Sequence, residues 1–177
     1  MNKRTIIVGI SLVVMFQIIV LACEYLGAVY PLWCGNEIRL RTTPVDPRSL
    51  FRGNYARLRY AISTINASHL HQKKSLRNGE VVYVELRPDK DGLYQFDGVS
   101  LKKPRGGTFI RGRIQNTQGQ RGKSIYNVRY GIEAYFAPKE KALAMEKELR
   151  TGGVAIVMIA GNGKATLKEI GDDTGRL

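Results

Sequence analysis

Val154-Ala155-Ile156-Val157-Met158-Ile159-Ala160 is a continuous apolar run late in the chain, and it determines what fold the sequence can form. Seven residues cannot cross a bilayer, because a helix that spans one needs about 20. A short unbroken apolar run flanked by glycines is typical of a strand buried inside a sheet. The run therefore predicts a central core strand.

The residues on both sides of this strand extend the prediction to a whole sheet. Gly161-Asn162-Gly163 separates it from a second β-type run at 165–170, which predicts a hairpin. Asn78-Gly79 and Asp91-Gly92 suit turns that need positive φ. A helix is expected at 138–150, where Pro138 opens the pattern and Gly152 ends it. Six further strands are predicted at 37–41, 55–62, 81–87, 92–99, 108–114 and 124–130. The expected fold is α+β but mostly β: a small antiparallel sheet or barrel-like domain with one packed helix.

The N-terminal region predicts a membrane anchor. Residues 5–22 carry no charge and would reach about 27 Å as a helix. Lys3 and Arg4 precede the run, so the positive-inside bias places the N-terminus in the cytoplasm. We expect a single-pass protein of a bacterial inner membrane with its domain outside the cytoplasm, in the periplasm. The predicted units are an anchor with its juxtamembrane segment (1–33), a β-rich domain (34–171) and a frayed tail (172–177).

Two alternatives to an uncleaved anchor remain open, a cleaved signal and a lipoprotein signal. Val20-Leu21-Ala22-Cys23 resembles a lipobox, in which the cysteine receives the lipid. The apolar character nevertheless continues past Cys23 to Trp33, which favours the anchor. The other cysteine, Cys34, would lie about 16 Å from Cys23 along a helix, so no disulfide is expected.

The net charge of +13 raises the question of nucleic-acid binding. The arginines, however, alternate with apolar residues in strand-like segments, as in Ile38-Arg39-Leu40-Arg41. Alternation sends them to a solvated face of the sheet. We therefore expect a basic surface near anionic lipid headgroups, and no nucleic-acid partner.

Residues 44–60 form the densest motif, reading PVDPRSLFRGNYARLRY. The segment resembles the GDYXXLXY family of bacterial membrane-anchored proteins, whose name is written in Gly53, Tyr55, Leu58 and Tyr60. A second segment at 130–136, YGIEAYF, also fits the pattern of that family. Asn54 stands where the motif has Asp. The resemblance covers nearly the whole chain.

The resemblance implies a layout and a neighbourhood but no activity. The family has an anchor followed by an extracytoplasmic β-rich domain, and its genes often lie beside those of multi-spanning membrane proteins. We therefore expect an accessory or interaction module for such a protein, without catalysis and without a cofactor. The sequence does not determine the oligomeric state.

The motif residues have a structural interpretation and a binding interpretation. Tyr55 does not share a strand face with Leu58 and Tyr60, so a bulge or bend near Ala56 is expected to bring them together. Gly53 and Asn54 suit a turn, and Asp46 could accept backbone N–H bonds. As a binding surface, the candidates are Asp46, Arg48, Arg52, Gly53, Asn54, Tyr55, Leu58, Tyr60, Tyr130, Glu133 and Tyr135.

An enzyme is the competing interpretation. Asp46 and Glu133 could form the carboxylate pair of an envelope hydrolase, but the nearby arginines would keep both ionised. His69 and His71 lie in a polar segment without neighbouring carboxylates, so no metal site is expected. No nucleophile motif or phosphate-binding glycine loop is present in the sequence.

Overall fold

The structure, a computed structural model, describes residues 3–43, 55–66, 68, 76–120, 123–136 and 152–171. It confirms the predicted class, an N-terminal apolar helix followed by a mostly antiparallel sheet. In chain order the elements are α1 (Lys3–Cys34), β1 (Asn36–Thr43), β2 (Tyr55–Arg57), β3 (Arg59–Tyr60), a 3-10 turn (Ala61–Ser63), β4 (Thr64–Asn66), β5 (Val81–Pro88), β6 (Leu93–Ser100), β7 (Thr108–Gln120), β8 (Lys123–Arg129), β9 (Ala134–Phe136), β10 (Val154–Ile159) and β11 (Ala165–Gly171).

Helix α1 is long and apolar enough to span a membrane. It runs for 32 residues and continues well past the predicted run at 5–22. Its side chains are exposed from Lys3 to Leu26, unlike those of a core helix in a soluble protein. Pro31 is the one residue of α1 that is fully buried, and it lies against the domain.

The sheet has the strand order β11-β10-β1-β6-β5-β7-β8-β4. All of its pairings are antiparallel except β1 with β6, which share only the pairs Arg39 with Leu93 and Leu40 with Tyr94. Strand β10 lies between β11 and β1, which confirms the central strand predicted from its apolar run. The predicted hairpin joins β10 to β11.

The sheet curls until distant strands meet, in agreement with a barrel-like domain. Strands β10 and β7 are separated by three others in the strand order. Even so, the backbone N–H of Arg111 in β7 donates to the carbonyl of Gly163 in the β10–β11 turn, at 2.8 Å. The close approach requires glycine, since a Cβ at Gly163 would lie 2.9 Å from the Phe109 ring.

Three details differ from the sequence prediction or lie beyond the described residues. Strand β7 extends to Gln120, because its hydrogen-bonded pairing with β8 continues to Lys123. The expected strand at 55–62 is divided into β2, β3 and a 3-10 turn. The expected helix at 138–150 and tail at 172–177 lie outside the described residues.

The core forms where apolar side chains alternate with charged ones. In β1, Ile38 and Leu40 are buried and Arg39 is exposed, and β7 repeats the pattern with Ile110, Arg111 and Ile114. The predicted solvated arginine face is confirmed at these positions. The buried cluster is completed by residues from the other strands, among them Tyr60, Ile65, Val82, Val84, Tyr126, Val128, Tyr130, Ile132, Ala155 and Val157.

Candidate functional site

The two sequence segments that carry the family motif pair with each other. Strands β2 and β9 form a separate two-stranded antiparallel ribbon in which Tyr55 lies opposite Phe136 and Ala56 opposite Tyr135. Sequence reasoning identified both segments but did not predict that they would meet. A shared motif and a direct backbone pairing mark this region as the candidate site.

The motif strand is interrupted at Leu58, two residues after the bend expected near Ala56. The backbone N–H of Leu58 leaves the ribbon and donates to the carbonyl of Glu133 at 2.8 Å. Leu58 and Tyr60 are both buried, and Tyr60 continues as β3 beside β1. The interruption therefore passes the motif from the small ribbon into the main sheet.

Two buried tyrosines tie these segments together from opposite sides. The hydroxyl of Tyr60 donates to the carbonyl of Ile132 at 2.6 Å. The hydroxyl of Tyr130 donates to the carbonyl of Ile62, also at 2.6 Å. Because each ring also packs in the core, a tyrosine at either position supplies both apolar burial and a hydrogen bond.

Glu133 holds the turn between β8 and β9. Its carboxylate accepts the backbone N–H of Tyr130 at 2.5 Å and that of Gly131 at 2.9 Å. Arg129 approaches the same carboxylate, with Nε 3.7 Å from Oε2. Gly131 has φ +89°, a conformation that side chains other than glycine rarely adopt. Glu133 thus accepts two backbone hydrogen bonds and forms one ion pair within its own turn.

The electrostatics of the two tyrosines suit hydrogen-bond donation. Burial raises the pKa of Tyr60 well above its ordinary value, and the Glu133 carboxylate raises it further. The pKa of Tyr130 is raised for the same two reasons, burial first. Both hydroxyls therefore stay protonated at physiological pH. A hydroxyl can donate to a carbonyl only while it keeps its proton.

Gly112 belongs to this region and was missed by sequence reasoning. It lies in β7, where a Cβ would come within 2.3 Å of Val128 Cγ1 and 2.9 Å of the Tyr130 ring. The missing side chain makes room for that ring. A glycine inside a strand is the sequence signal that could have indicated such close packing.

Seven of the residues considered from the sequence lie outside the described residues: Asp46, Arg48, Arg52, Gly53, Asn54, His69 and His71. Tyr135 is half-buried against the core, and Cys23 is an exposed free thiol on α1. Among the residues that the structure describes, no three His, Cys, Asp or Glu side chains are grouped as a metal site would require.

Comparison with known proteins agrees with the paired motif. No curated protein and no solved structure shows significant similarity to this chain. The family model described as "GDYXXLXY protein" matches residues 17–170, which include the end of α1, both motif segments and the β10–β11 hairpin. The match covers most of the chain, and the chain therefore belongs to the GDYXXLXY family.

Proposed function

We propose that this protein is a membrane-anchored, extracytoplasmic accessory module that binds a multi-spanning membrane protein and has no catalytic activity of its own. In this proposal α1 crosses the inner membrane with Lys3 and Arg4 on the cytoplasmic side. The β-rich domain then lies in the periplasm beside the partner.

The observation that carries the proposal is the distribution of exposed apolar side chains. Among the described residues, every large hydrophobic side chain that is exposed belongs to α1, between Ile6 and Trp33. A soluble protein rarely leaves so continuous an apolar surface in water. In this proposal, lipid and the transmembrane helices of a partner cover the apolar surface of α1.

The way the motif residues are used supports a binding role over catalysis. The hydroxyls of Tyr60 and Tyr130 donate to backbone carbonyls. The carboxylate of Glu133 accepts backbone N–H groups and pairs with Arg129. A hydrolase that uses Asp46 and Glu133 needs a carboxylate free to exchange a proton with a substrate. Freeing Glu133 for that task would remove two hydrogen bonds and one ion pair from the turn.

The first experiment tests the topology. Alkaline phosphatase is fused after Leu177, and we expect an active fusion because the enzyme folds only outside the cytoplasm. A matched variant, Lys3→Glu with Arg4→Glu, removes the positive flank and is expected to lower that activity. An inactive wild-type fusion would contradict the proposal.

The second experiment tests the partner. A photo-crosslinking amino acid replaces Phe16 or Leu21 in α1, whose side chains are each 67% exposed. Irradiation of intact membranes should yield one dominant adduct with a multi-spanning protein. As the matched control, the photo-crosslinking amino acid replaces Asn78 in the turn before β5, a position outside the bilayer in this proposal. Recovery of the uncrosslinked chain alone from both α1 positions would count against a partner in the membrane.

The lipoprotein alternative has its own readout. Cys23→Ser removes the only sulfur that a lipobox at 20–23 could use. If the protein is an uncleaved anchor, Cys23→Ser changes its mass only by the exchange of sulfur for oxygen, and its membrane retention is unchanged. If the wild-type protein is labelled by palmitate and Cys23→Ser is not, the protein is a lipoprotein and the uncleaved anchor is wrong.

A further inference from the structure

The end of α1 and the β10–β11 hairpin are held together by close packing and hydrogen bonds, and we call this contact the joint. Pro31 near the end of α1 is buried against the domain. Gly35, the residue after the helix, could not carry a Cβ, which would lie 2.3 Å from the Pro31 carbonyl and 3.0 Å from the Ile159 backbone. The end of α1 therefore sits directly on the β10–β11 hairpin.

Pro31 leaves a helix carbonyl without its usual donor, and the hairpin supplies one. In an α-helix the carbonyl of Gly27 would accept the N–H of residue 31, but proline has none. Lys164 instead donates from Nζ to the Gly27 carbonyl at 2.6 Å. Thr166 in β11 donates to the next carbonyl, that of Ala28, at 3.2 Å. The ammonium group is also favoured by the helix dipole at this end.

This joint fixes the depth of the hairpin relative to a bilayer. The uncharged part of α1 ends at Cys23, since Glu24 is the first charged residue after it. Gly27 lies about 6 Å further along the helix axis at about 1.5 Å per residue. The headgroup layer on each side of the hydrocarbon core is also about 6 Å thick. With α1 across a bilayer, as in the proposed function, Lys164 and the turn that carries it lie at headgroup level.

Cations surround this turn. Arg111 is exposed, and its backbone N–H is bonded to Gly163 of the turn. Lys103 is exposed as well and lies 6.0 Å from the centroid of the Phe109 ring, which contacts Gly163. Glu37, at the start of β1, is already paired with Lys168 at 2.8 Å. Lys103 and Arg111 are thus exposed cations on segments beside the turn that carries Lys164.

We propose that Lys103, Arg111 and Lys164 form a binding surface for the phosphodiester groups of anionic lipid headgroups, which holds the domain flush against the bilayer. The inference rests on the membrane anchoring in the proposed function but not on any protein partner. Lys164 has three N–H donors and uses one on Gly27, so the group can also face a phosphate. Each cation at a membrane surface favours an anionic lipid about fivefold.

The test uses energy transfer from Trp33, the single tryptophan of the chain, which lies at the joint. The full-length protein is placed in phosphatidylcholine nanodiscs that contain a trace of dansyl-labelled phosphatidylglycerol or dansyl-labelled phosphatidylcholine. We expect the anionic probe to be enriched around Trp33 at least about fivefold over the zwitterionic probe. The variant Lys103→Gln with Arg111→Gln should lower this ratio at least about fivefold and leave only the part that Lys164 supplies. The pair Arg59→Gln with Arg77→Gln removes the same charge elsewhere on the domain and should leave it unchanged.

The outcomes separate this inference from the proposed function. If neither probe accepts energy from Trp33 and the protein does not enter nanodiscs, the anchoring itself is wrong. If both probes accept energy equally in the wild-type protein, α1 is in the bilayer but the headgroup site is refuted. If the distant pair of substitutions lowers the ratio as much as the turn pair, net charge and not this surface attracts the lipid, and the proposal is overturned.

Discussion

Tyr60 and Tyr130 each donate a hydrogen bond to the backbone carbonyl two residues beyond the other, Tyr60 to Ile132 and Tyr130 to Ile62. The two bonds have the same length, 2.6 Å, and both are buried. The relationship explains why the motif ends in a tyrosine and why the second segment begins with one. Each ring anchors the backbone of the segment that holds its counterpart.

Removing either hydroxyl should destabilise the domain without opening a large cavity. Tyr60→Phe leaves the Ile132 carbonyl without its donor, and Tyr130→Phe does the same to Ile62. We expect each to lower the free energy of unfolding by about 1–3 kcal/mol, the cost of an unsatisfied buried polar group. Urea titration of the two variants and of the double variant would show whether the bonds act together. Tyr83→Phe, in which the ring can keep its edge contact with Phe109, is the matched control and should change little.

The same two hydroxyls should make the domain sensitive to alkali. Burial raises the pKa of Tyr60 and Tyr130 in the folded chain, whereas in the unfolded chain each titrates at about 10. The unfolded state therefore loses protons first, and stability that is fully present below pH of about 10 falls above it. We expect a loss of about 1.4 kcal/mol per pH unit for each tyrosine.

Denaturation at a series of pH values measures this effect. The slope above pH 10 should be halved in Tyr130→Phe and nearly absent in the double Phe variant. Ultraviolet titration of the native protein should find tyrosines, among the nine in the chain, that ionise only when the fold is lost. A slope that is the same in all variants would show that other groups govern alkaline unfolding.

Local patterns in the sequence were enough to predict most of the fold. The apolar run predicted as a strand at 154–160 is β10, Val154–Ile159. Gly79 and Gly92 have the positive φ that their turns were expected to need, +83° and +73°. Alternation placed Ile38 and Leu40 inside and Arg39 outside because a strand fixes which face each side chain takes.

Contacts between distant residues could not be predicted in this way. The pairing of β2 with β9, the exchange between Tyr60 and Tyr130, and the closure at Gly163 all join residues far apart in sequence. Glu133 illustrates the limit most clearly. Its residue type suggested a hydrolase carboxylate, while its backbone surroundings make it the acceptor of its own turn. Sequence periodicity carries no information about such partners.

Gly112 provides a prediction about packing beside the motif. Gly112→Ala places a Cβ 2.3 Å from Val128 and 2.9 Å from the Tyr130 ring, so one of these must move. Overpacking of this kind costs about 1–3 kcal/mol of stability. Gly106→Ala is the control, because a Cβ there would meet nothing within 4 Å. Thermal denaturation of the two variants should show a clear loss for position 112 and almost none for position 106.

The joint at Pro31 provides the last prediction, which concerns how rigidly the domain is held on its helix. Lys164→Met removes the donor to the Gly27 carbonyl and should loosen the domain, because Pro31 cannot replace that bond. Spin labels at Cys23 and at Asn78→Cys, in a Cys34→Ser background, report the distance between α1 and the turn before β5. We expect a broader distance distribution in Lys164→Met than in the wild-type protein.

A second substitution makes this interpretation specific. Pro31→Ala restores a backbone N–H that can bond to Gly27 within the helix. In that background Lys164→Met should broaden the distribution much less, because the carbonyl no longer depends on the lysine. Thr166→Val, which removes the weaker 3.2 Å bond to Ala28, should have a smaller effect in either background. Equal broadening by Lys164→Met with and without Pro31 would mean that the lysine acts through its charge and not through the carbonyl that proline leaves free.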